Sequence, residues 1–427
     1  MKLQIKTNEK TGENLYYTTH KSGLKIYIMP KKDYTSTYAV FGTKYGSVDS
    51  DFVVPGEEYI THVPDGIAHF LEHKMFEMED GSNVFESFSK AGAMCNAYTS
   101  FNMTGYLFKT SNDPYKCMEI LLDYVQKPYF TEENVEKEQG IIGQEINMGD
   151  DMPDWSLLFN FLKAMYHDNP VRLEIAGSIE SIAEIDADVL YKCYNTFYNL
   201  SNMALVIVGD IDPDKAMAVI DKNILKEEPF DEEIKRIYPQ EPKEILNKQA
   251  HKKMKVSMPI FMLGFKDNDI GYGGEKLLKK IIETDILNEM IFGKSSPLYE
   301  KLYNDGLINQ KFGAEFEPQI DYGFTAAEGE SDDPQKVYDT VMEYISGLEL
   351  DEADFERIKK VIWGRYICSY NDIEGFAHRF ISMIFMDIDY TDYYKVYKDV
   401  TFDDVKKRFR EHFDEKYAVL SVIEPME

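Results

Sequence analysis

Apolar and polar residues alternate with period two along 14–30 (NLYYTTHKSGLKIYIMP) and 36–48 (STYAVFGTKYGSV), and Gly23 and Gly46 mark turns. Both stretches are therefore predicted to be strands. Pro64-Asp65-Gly66 then breaks the chain, and a helix is expected over the following IAHFLEHKMF, with Asp65 as its N-cap. A short helix is predicted at about 82–91, stopped by Gly92, and a strand pair after it in MCNAYTSFNMTGYLFKT. A helix at about 113–126 precedes a strongly polar one that opens at Thr131, where Asn134 or Glu133 completes a capping signal, and ends near Pro153. Helices near 155–166 and 188–197 lead to a near-continuous apolar run, Met203–Val208, which reads as a buried strand. Residues 229–252 carry Pro229, Pro239 and Pro242 among many charges and read as a linker.

Self-comparison reorganises these elements. DVLYKCYNTF (188–197) matches DVKKRFREHF (404–413), and each is followed by an apolar strand, MALVIV or YAVLSVI. SNVFESFSKAG (82–92) matches SPLYEKLYNDG (296–306), and ENVEKEQGII (133–142) matches ADFERIKKVI (353–362). The three matches keep their order and nearly one offset, the signature of an internal duplication. The predicted fold is α+β: two homologous α/β domains, each an antiparallel-rich sheet flanked by helices, over 1–228 and 253–427 with the linker 229–252 between them.

Composition narrows the function classes. The chain of 427 residues is long enough for two domains, and its 44% hydrophobic content can fill a core in each. With 76 acidic against 47 basic residues, a formal charge of −29 argues against a nucleic-acid or anionic-membrane surface. The opening residues have no apolar core of signal-peptide type and no apolar run approaches the ~18 residues of a membrane span, so a cytoplasmic protein is expected. Cys95, Cys117, Cys193 and Cys368 show no paired spacing, so reduced and mostly buried thiols are expected.

The chemistry concentrates in His69-Phe70-Leu71-Glu72-His73. On a helix His69 and His73 stand at i and i+4 with Glu72 beside them, so two imidazoles and a carboxylate share one side of the cylinder. A catalytic zinc needs two neutral nitrogen ligands at fixed separation and an acid/base group close to the metal but not bound to it. The order H-x-x-E-H reverses the commoner H-E-x-x-H. In the polar helix Glu138 and Glu145 lie two turns apart and point the same way, with Ile141, Ile142 and Ile146 expected to pack around that line. A carboxylate among apolar neighbours needs a cation or donors, so this pair offers a candidate third ligand. The second copy places Asp285-Ile286-Leu287-Asn288-Glu289 over the motif and Arg365 over Glu145 while keeping Phe292 over Phe76. Only the first copy carries the constellation.

At these residues the chain resembles the pitrilysin, insulysin and mitochondrial processing peptidase family, the inverzincin metallopeptidases. The resemblance runs through HFLEH (69–73), AGAMCNAYTS (91–100), EKEQGIIGQE (136–145) and SNMALVIVGDID (201–212), and covers nearly the whole chain. It implies a zinc-dependent endopeptidase holding one Zn²⁺ per chain on His69, His73 and Glu145, with Glu72 as general base and Glu138 orienting a ligand histidine. It also implies that Ala93, Met94, Cys95, Asn96, Ala97, Tyr98 and Thr99 form an edge strand onto which an unfolded substrate peptide adds through its main chain. Met94 and Cys95 are read as packing residues rather than redox groups.

One departure bears on partners. Active members of the family use an Arg and a Tyr from a stretch resembling LREKxGLAY, whereas here LYNDGLIN (302–309) puts Tyr303 at the Arg place and Asn309 near the Tyr place. Short members are half of a clam-shell closed by a second chain. The expected partner is a paralogue that lacks HxxEH and supplies the Arg/Tyr pair, otherwise a second copy of this chain. A peptide-binding or assembly subunit with a retained zinc site is the alternative; the intact Glu72 favours catalysis.

Overall fold

In the computed structural model, which describes residues 2–225 and 228–426, the chain forms two large sheets and one small one. Residues 226 and 227, at the end of the expected first domain, lie outside the described residues. The first sheet runs, in spatial order, Gln4–Thr7, Asn14–Thr19, Lys25–Pro30, Met203–Gly209, Thr37–Thr43, Thr104–Thr110 and Ala93–Thr99. Thr37–Thr43 and Met203–Gly209 are buried at every position, which explains why their sequences are continuous apolar runs rather than alternating ones. Met203–Gly209 pairs parallel with Lys25–Pro30 and antiparallel with Thr37–Thr43. Ala93–Thr99 closes one end of the sheet, paired with Thr104–Thr110 on one side.

The second sheet runs Gln249–Met254, Ala418–Pro425, Ile260–Lys266, Gly323–Glu330 and Gly313–Pro318. It repeats the last five strands of the first in order and sense: a parallel pair, then three antiparallel partners. Helices follow the repeat, with starts at Pro114 and Pro334, at Glu132 and Glu352, and at Pro153 and Ile373, 220 positions apart in each case. The chain is thus an α+β protein of two homologous halves, as the self-comparison implies.

The chain divides into two compact units, one of residues 1–146, 173–238 and 368–385, the other of 147–172, 239–367 and 386–427. These differ from the contiguous halves of the sequence in two segments. Pro153–Met165, from the first half, packs on Ala418–Pro425 and Ile260–Lys266, while Ile373–Phe385, from the second, packs on Met203–Gly209 and Thr37–Thr43. Each helix has the apolar content such packing needs: Leu157, Phe159, Phe161 and Leu162 in one, Phe376, Phe380 and Ile381 in the other are buried. The proline-rich stretch is also more ordered than a plain linker, since Lys235–Arg236 pairs with Asp51–Val53 and Gln249–Met254 is a strand of the second sheet.

The motif helix is Ile67–Lys74, and its start corrects one expectation. Gly66, not Asp65, is the N-cap, with φ of 90° and no side-chain cap. A side chain at Gly66 would put Cβ 2.3 Å from the Ala176 carbonyl oxygen, so close backbone packing and a left-handed conformation both demand glycine. The capping expected at Thr131 is present: Thr131 Oγ1 accepts from the Asn134 N–H at 3.2 Å and Asn134 Oδ1 from the Thr131 N–H at 2.9 Å.

Candidate metal centre

The motif helix is anchored by Ile67, Ala68, Phe70 and Leu71, all buried in the core beneath the first sheet. That leaves His69 and His73 on one side of the helix, with ring centroids 4.6 Å apart. The helix Glu132–Asp150 brings Glu145 to them. His73 Nε2 lies 3.4 Å from Glu145 Oε2, and His69 Nε2 lies 3.6 Å from Glu145 Oε1. One ligand atom from each of the three residues falls within 4.8 Å of the others.

These distances fit a metal better than they fit hydrogen bonds. Bonds of about 2.1 Å to one ion at tetrahedral angles put ligand atoms about 3.4 Å apart. A hydrogen bond to a carboxylate from an imidazole is nearer 2.8 Å, and at 3.6 Å it is lost. Two imidazole nitrogens and a carboxylate oxygen are also the donor set a borderline-soft divalent ion takes.

Glu138, two turns before Glu145, does not join them; its Oε1 sits 3.0 Å from His73 Nδ1. A carboxylate there fixes the tautomer that leaves the Nε2 lone pair free. Burial works against the charged form of His73, but the Glu138 hydrogen bond and the charges of Glu72, Glu145 and Glu138 raise its pKa above the usual 6.5. Contact with His69 holds the Glu145 carboxyl below its ordinary range, with burial opposing. His69 Nδ1, by contrast, is buried without a hydrogen-bond partner.

Glu72 is not one of the three grouped ligands but its charge is felt at His73; it is 9% exposed, and its Oε2 accepts from the Thr99 hydroxyl at 2.7 Å. Thr99 was expected only as part of the edge strand, so this contact is an addition. Along that strand Ala93, Cys95 and Ala97 pack against the core, but Met94, expected to pack as well, is 76% exposed, because the period-two alternation of a strand turns it with Asn96 to the opposite face. Burial pushes the Cys95 thiol up to about 11, in keeping with a packing role. Around the two glutamates Ile142 and Ile146 are buried as expected, but Ile141 is 46% exposed because it lies on the outer side of the helix. Lys74, which the sequence reading passed over, is fully buried beside Glu138. The signal was present: a lysine inside an apolar run, three residues before Glu77.

The second copy lacks these groups. Arg365 and Glu289, at the places of Glu145 and His73, form an ion pair of 2.7 Å. Asn309 donates to Glu330 Oε2 at 2.6 Å, and Tyr303 is 44% exposed and stacks on Tyr299.

Comparison with known proteins gives the same picture. Residues 56–178 match the model of the insulinase family, peptidase family M16, and residues 184–362 match the M16 inactive domain. The uncharacterized zinc protease YmfH of Bacillus subtilis is 42% identical over 406 residues, covering 94% of this chain and 95% of that protein. The chain belongs to peptidase family M16. A crystal structure described as an M16-like peptidase from Alicyclobacillus acidocaldarius superposes with a TM-score of 0.93 at 34% identity, covering 98% of this chain and all of the other. Pitrilysin shares the fold, with a TM-score of 0.75 at 16% identity, and this M16 chain covers 47% of its length. Among the described residues no helix is long and apolar enough to cross a membrane.

Proposed function

We propose that this M16 chain is a zinc-dependent endopeptidase acting on unfolded peptides, with one Zn²⁺ held by His69, His73 and Glu145. The observation that carries the reading is the convergence of two Nε2 atoms on one carboxylate, at separations suited to a shared ion. Zinc bound there supplies a Lewis acid that polarises the scissile carbonyl and makes a neighbouring water acidic. Glu72 accepts the proton of the attacking water and returns it to the leaving amine. Thr99 aims one Glu72 oxygen, leaving the other for that transfer. Glu138 orients His73 through Nδ1.

Ala93–Thr99 receives the substrate by strand addition. Its place at the end of the first sheet supports this, because main-chain groups on its outer side have no strand partner among the described residues. Pairing through the main chain selects extended, unfolded peptides with little regard to sequence. Catalysis takes place in a chamber closed by a second subunit, and Tyr303 and Asn309 in place of an Arg/Tyr pair favour a paralogue that brings those groups. This chain's 47% coverage of pitrilysin is the length of one half of such an assembly. The second reading, a peptide-binding subunit without activity, draws on the same two positions.

Two measurements separate them. Glu72→Gln is expected to keep zinc while losing turnover of an unstructured peptide by at least 100-fold; turnover near wild type refutes the assignment of the base. The purified chain alone is expected to be far less active than the chain co-purified with its partner, and full activity alone overturns the paralogue.

A further inference from the structure

Lys74 is the one residue at the metal centre whose chemistry is unexplained by the family-level reading. Its side chain is 0% exposed, although lysine is almost never fully buried unless paired. Nζ donates to Glu77 Oε2 at 2.7 Å and to the Asn134 carbonyl at 3.1 Å, and lies 3.8 Å from Glu138 Oε2. The ammonium thus bridges the end of the motif helix to two successive turns of the helix that carries Glu145.

We propose that Lys74 is a positioning residue for the zinc site: it holds the free oxygen of Glu138, so that the other oxygen stays on His73 Nδ1 and the Nε2 lone pair stays aimed at the metal. The inference rests on the zinc site proposed above. Three features carry it. Glu138 has 7% of its side chain exposed, so no solvent competes to orient it, and its two oxygens are divided between His73 and Lys74. Lys74 follows His73 directly in the chain, and both side chains meet the same carboxylate, His73 at Oε1 and Lys74 at Oε2. Charge also balances among the groups in contact: Glu77, Glu138 and Glu145 bring three negative charges, and Lys74 with one divalent ion brings three positive ones. Repulsion between ammonium and ion is offset because Glu77 and Glu138 stand around the ammonium.

The test is a double-mutant cycle read in zinc affinity, using metal-free full-length protein titrated against a chromogenic chelator. Lys74→Met is expected to raise the zinc Kd roughly 10- to 100-fold, the range found when groups supporting a ligand histidine are removed. Glu138→Gln is expected to do likewise, and the double variant to bind no more weakly than Glu138→Gln alone. The Co²⁺-loaded form should show the same change in its visible bands for Lys74→Met as for Glu138→Gln. A Lys74→Met Kd within about threefold of wild type, or a full additional loss in the double variant, overturns the proposal. If Lys74→Met fails to fold, Glu138→Gln compared with Lys74→Met/Glu138→Gln decides, since that pair removes both buried charges together. Wild-type protein that takes up no zinc overturns the parent reading and this one with it, whereas zinc bound equally by wild type and Lys74→Met overturns this one alone.

Discussion

Replacing Thr99 by Val removes a single hydroxyl from the proposed base and leaves the shape of the side chain. In the native protein that hydroxyl donates to Glu72 Oε2 at 2.7 Å, and Glu72 is 9% exposed, so water does not readily replace it. Hydrogen bonds to a charged acceptor contribute about 1.5–3 kcal/mol. If the bond serves to aim the carboxylate at the attacking water, its loss appears in kcat as roughly a 10- to 100-fold decrease, at 1.36 kcal/mol per tenfold. KM should change little, because in the proposed strand addition the substrate is held by main-chain groups of Ala93–Thr99. Zinc content should stay at the wild-type value, since Thr99 touches none of His69, His73 and Glu145. The assay is steady-state cleavage of a fluorogenic unstructured peptide by zinc-loaded protein with its partner present, alongside elemental analysis. Thr99→Ser restores the donor and should recover most of the rate. A Thr99→Val enzyme within about twofold of wild type in kcat, at unchanged zinc, refutes the role of the hydroxyl and weakens that of Glu72.

Further outcomes follow from the same geometry. Glu145→Ala removes the carboxylate that faces both Nε2 atoms and should leave the protein without stoichiometric zinc by elemental analysis; retained zinc would show that other groups hold the ion. In the other unit, Asp267 is 1% exposed and pairs with Arg408 at 2.9 Å and Lys280 at 3.0 Å, so Asp267→Asn should cost about 3–5 kcal/mol in denaturant unfolding. Despite the cost of burial, Arg408, His412 and Lys280 hold the Asp267 carboxyl below its ordinary 3.8, so its contribution is present above that pH and fades as pH falls through the lowered value. His412, fully buried and beside Arg408, is held well below 6.5; the unfolded chain takes up a proton there that the folded one refuses, so stability should already decline as pH drops beneath 6.5. Melting temperature that is flat between pH 7 and 5 would contradict this.

How much of this was legible depended on whether the cause was local. His69, Glu72 and His73 are neighbours on one helix, and the period of 3.6 alone sets them on one side. Thr131 and Asn134 cap their helix through contacts three residues apart, and this too is written in the sequence. Asp65 misled because the cap is decided by the backbone of Ala176, more than a hundred residues away. Lys74 and Thr99 were missed in their main contacts for the same reason: Asn134, Glu138 and Glu72 reach them only after the helices and the edge strand have packed. The exchange of Pro153–Met165 and Ile373–Phe385 was hidden because an apolar helix face announces that it will be covered and not by which sheet.

The duplication gives the metal centre an internal control. The helices Glu132–Asp150 and Glu352–Ser369 occupy the same place in the two halves, and both sheets keep the same five-strand order, yet only one half has the two imidazoles. Where the first half sets His73 against Glu145, the second sets Glu289 against Arg365 at 2.7 Å, with 60% of the arginine side chain exposed. Such an exposed pair contributes about 0–1 kcal/mol. At these places the second half thus has an inexpensive surface contact. The first half instead buries Lys74 and Glu138 beside His73, which costs desolvation. That an ion pair stands at these places in the other half, which lacks the imidazoles, favours a functional reason for the costlier arrangement, in line with the proposed metal site.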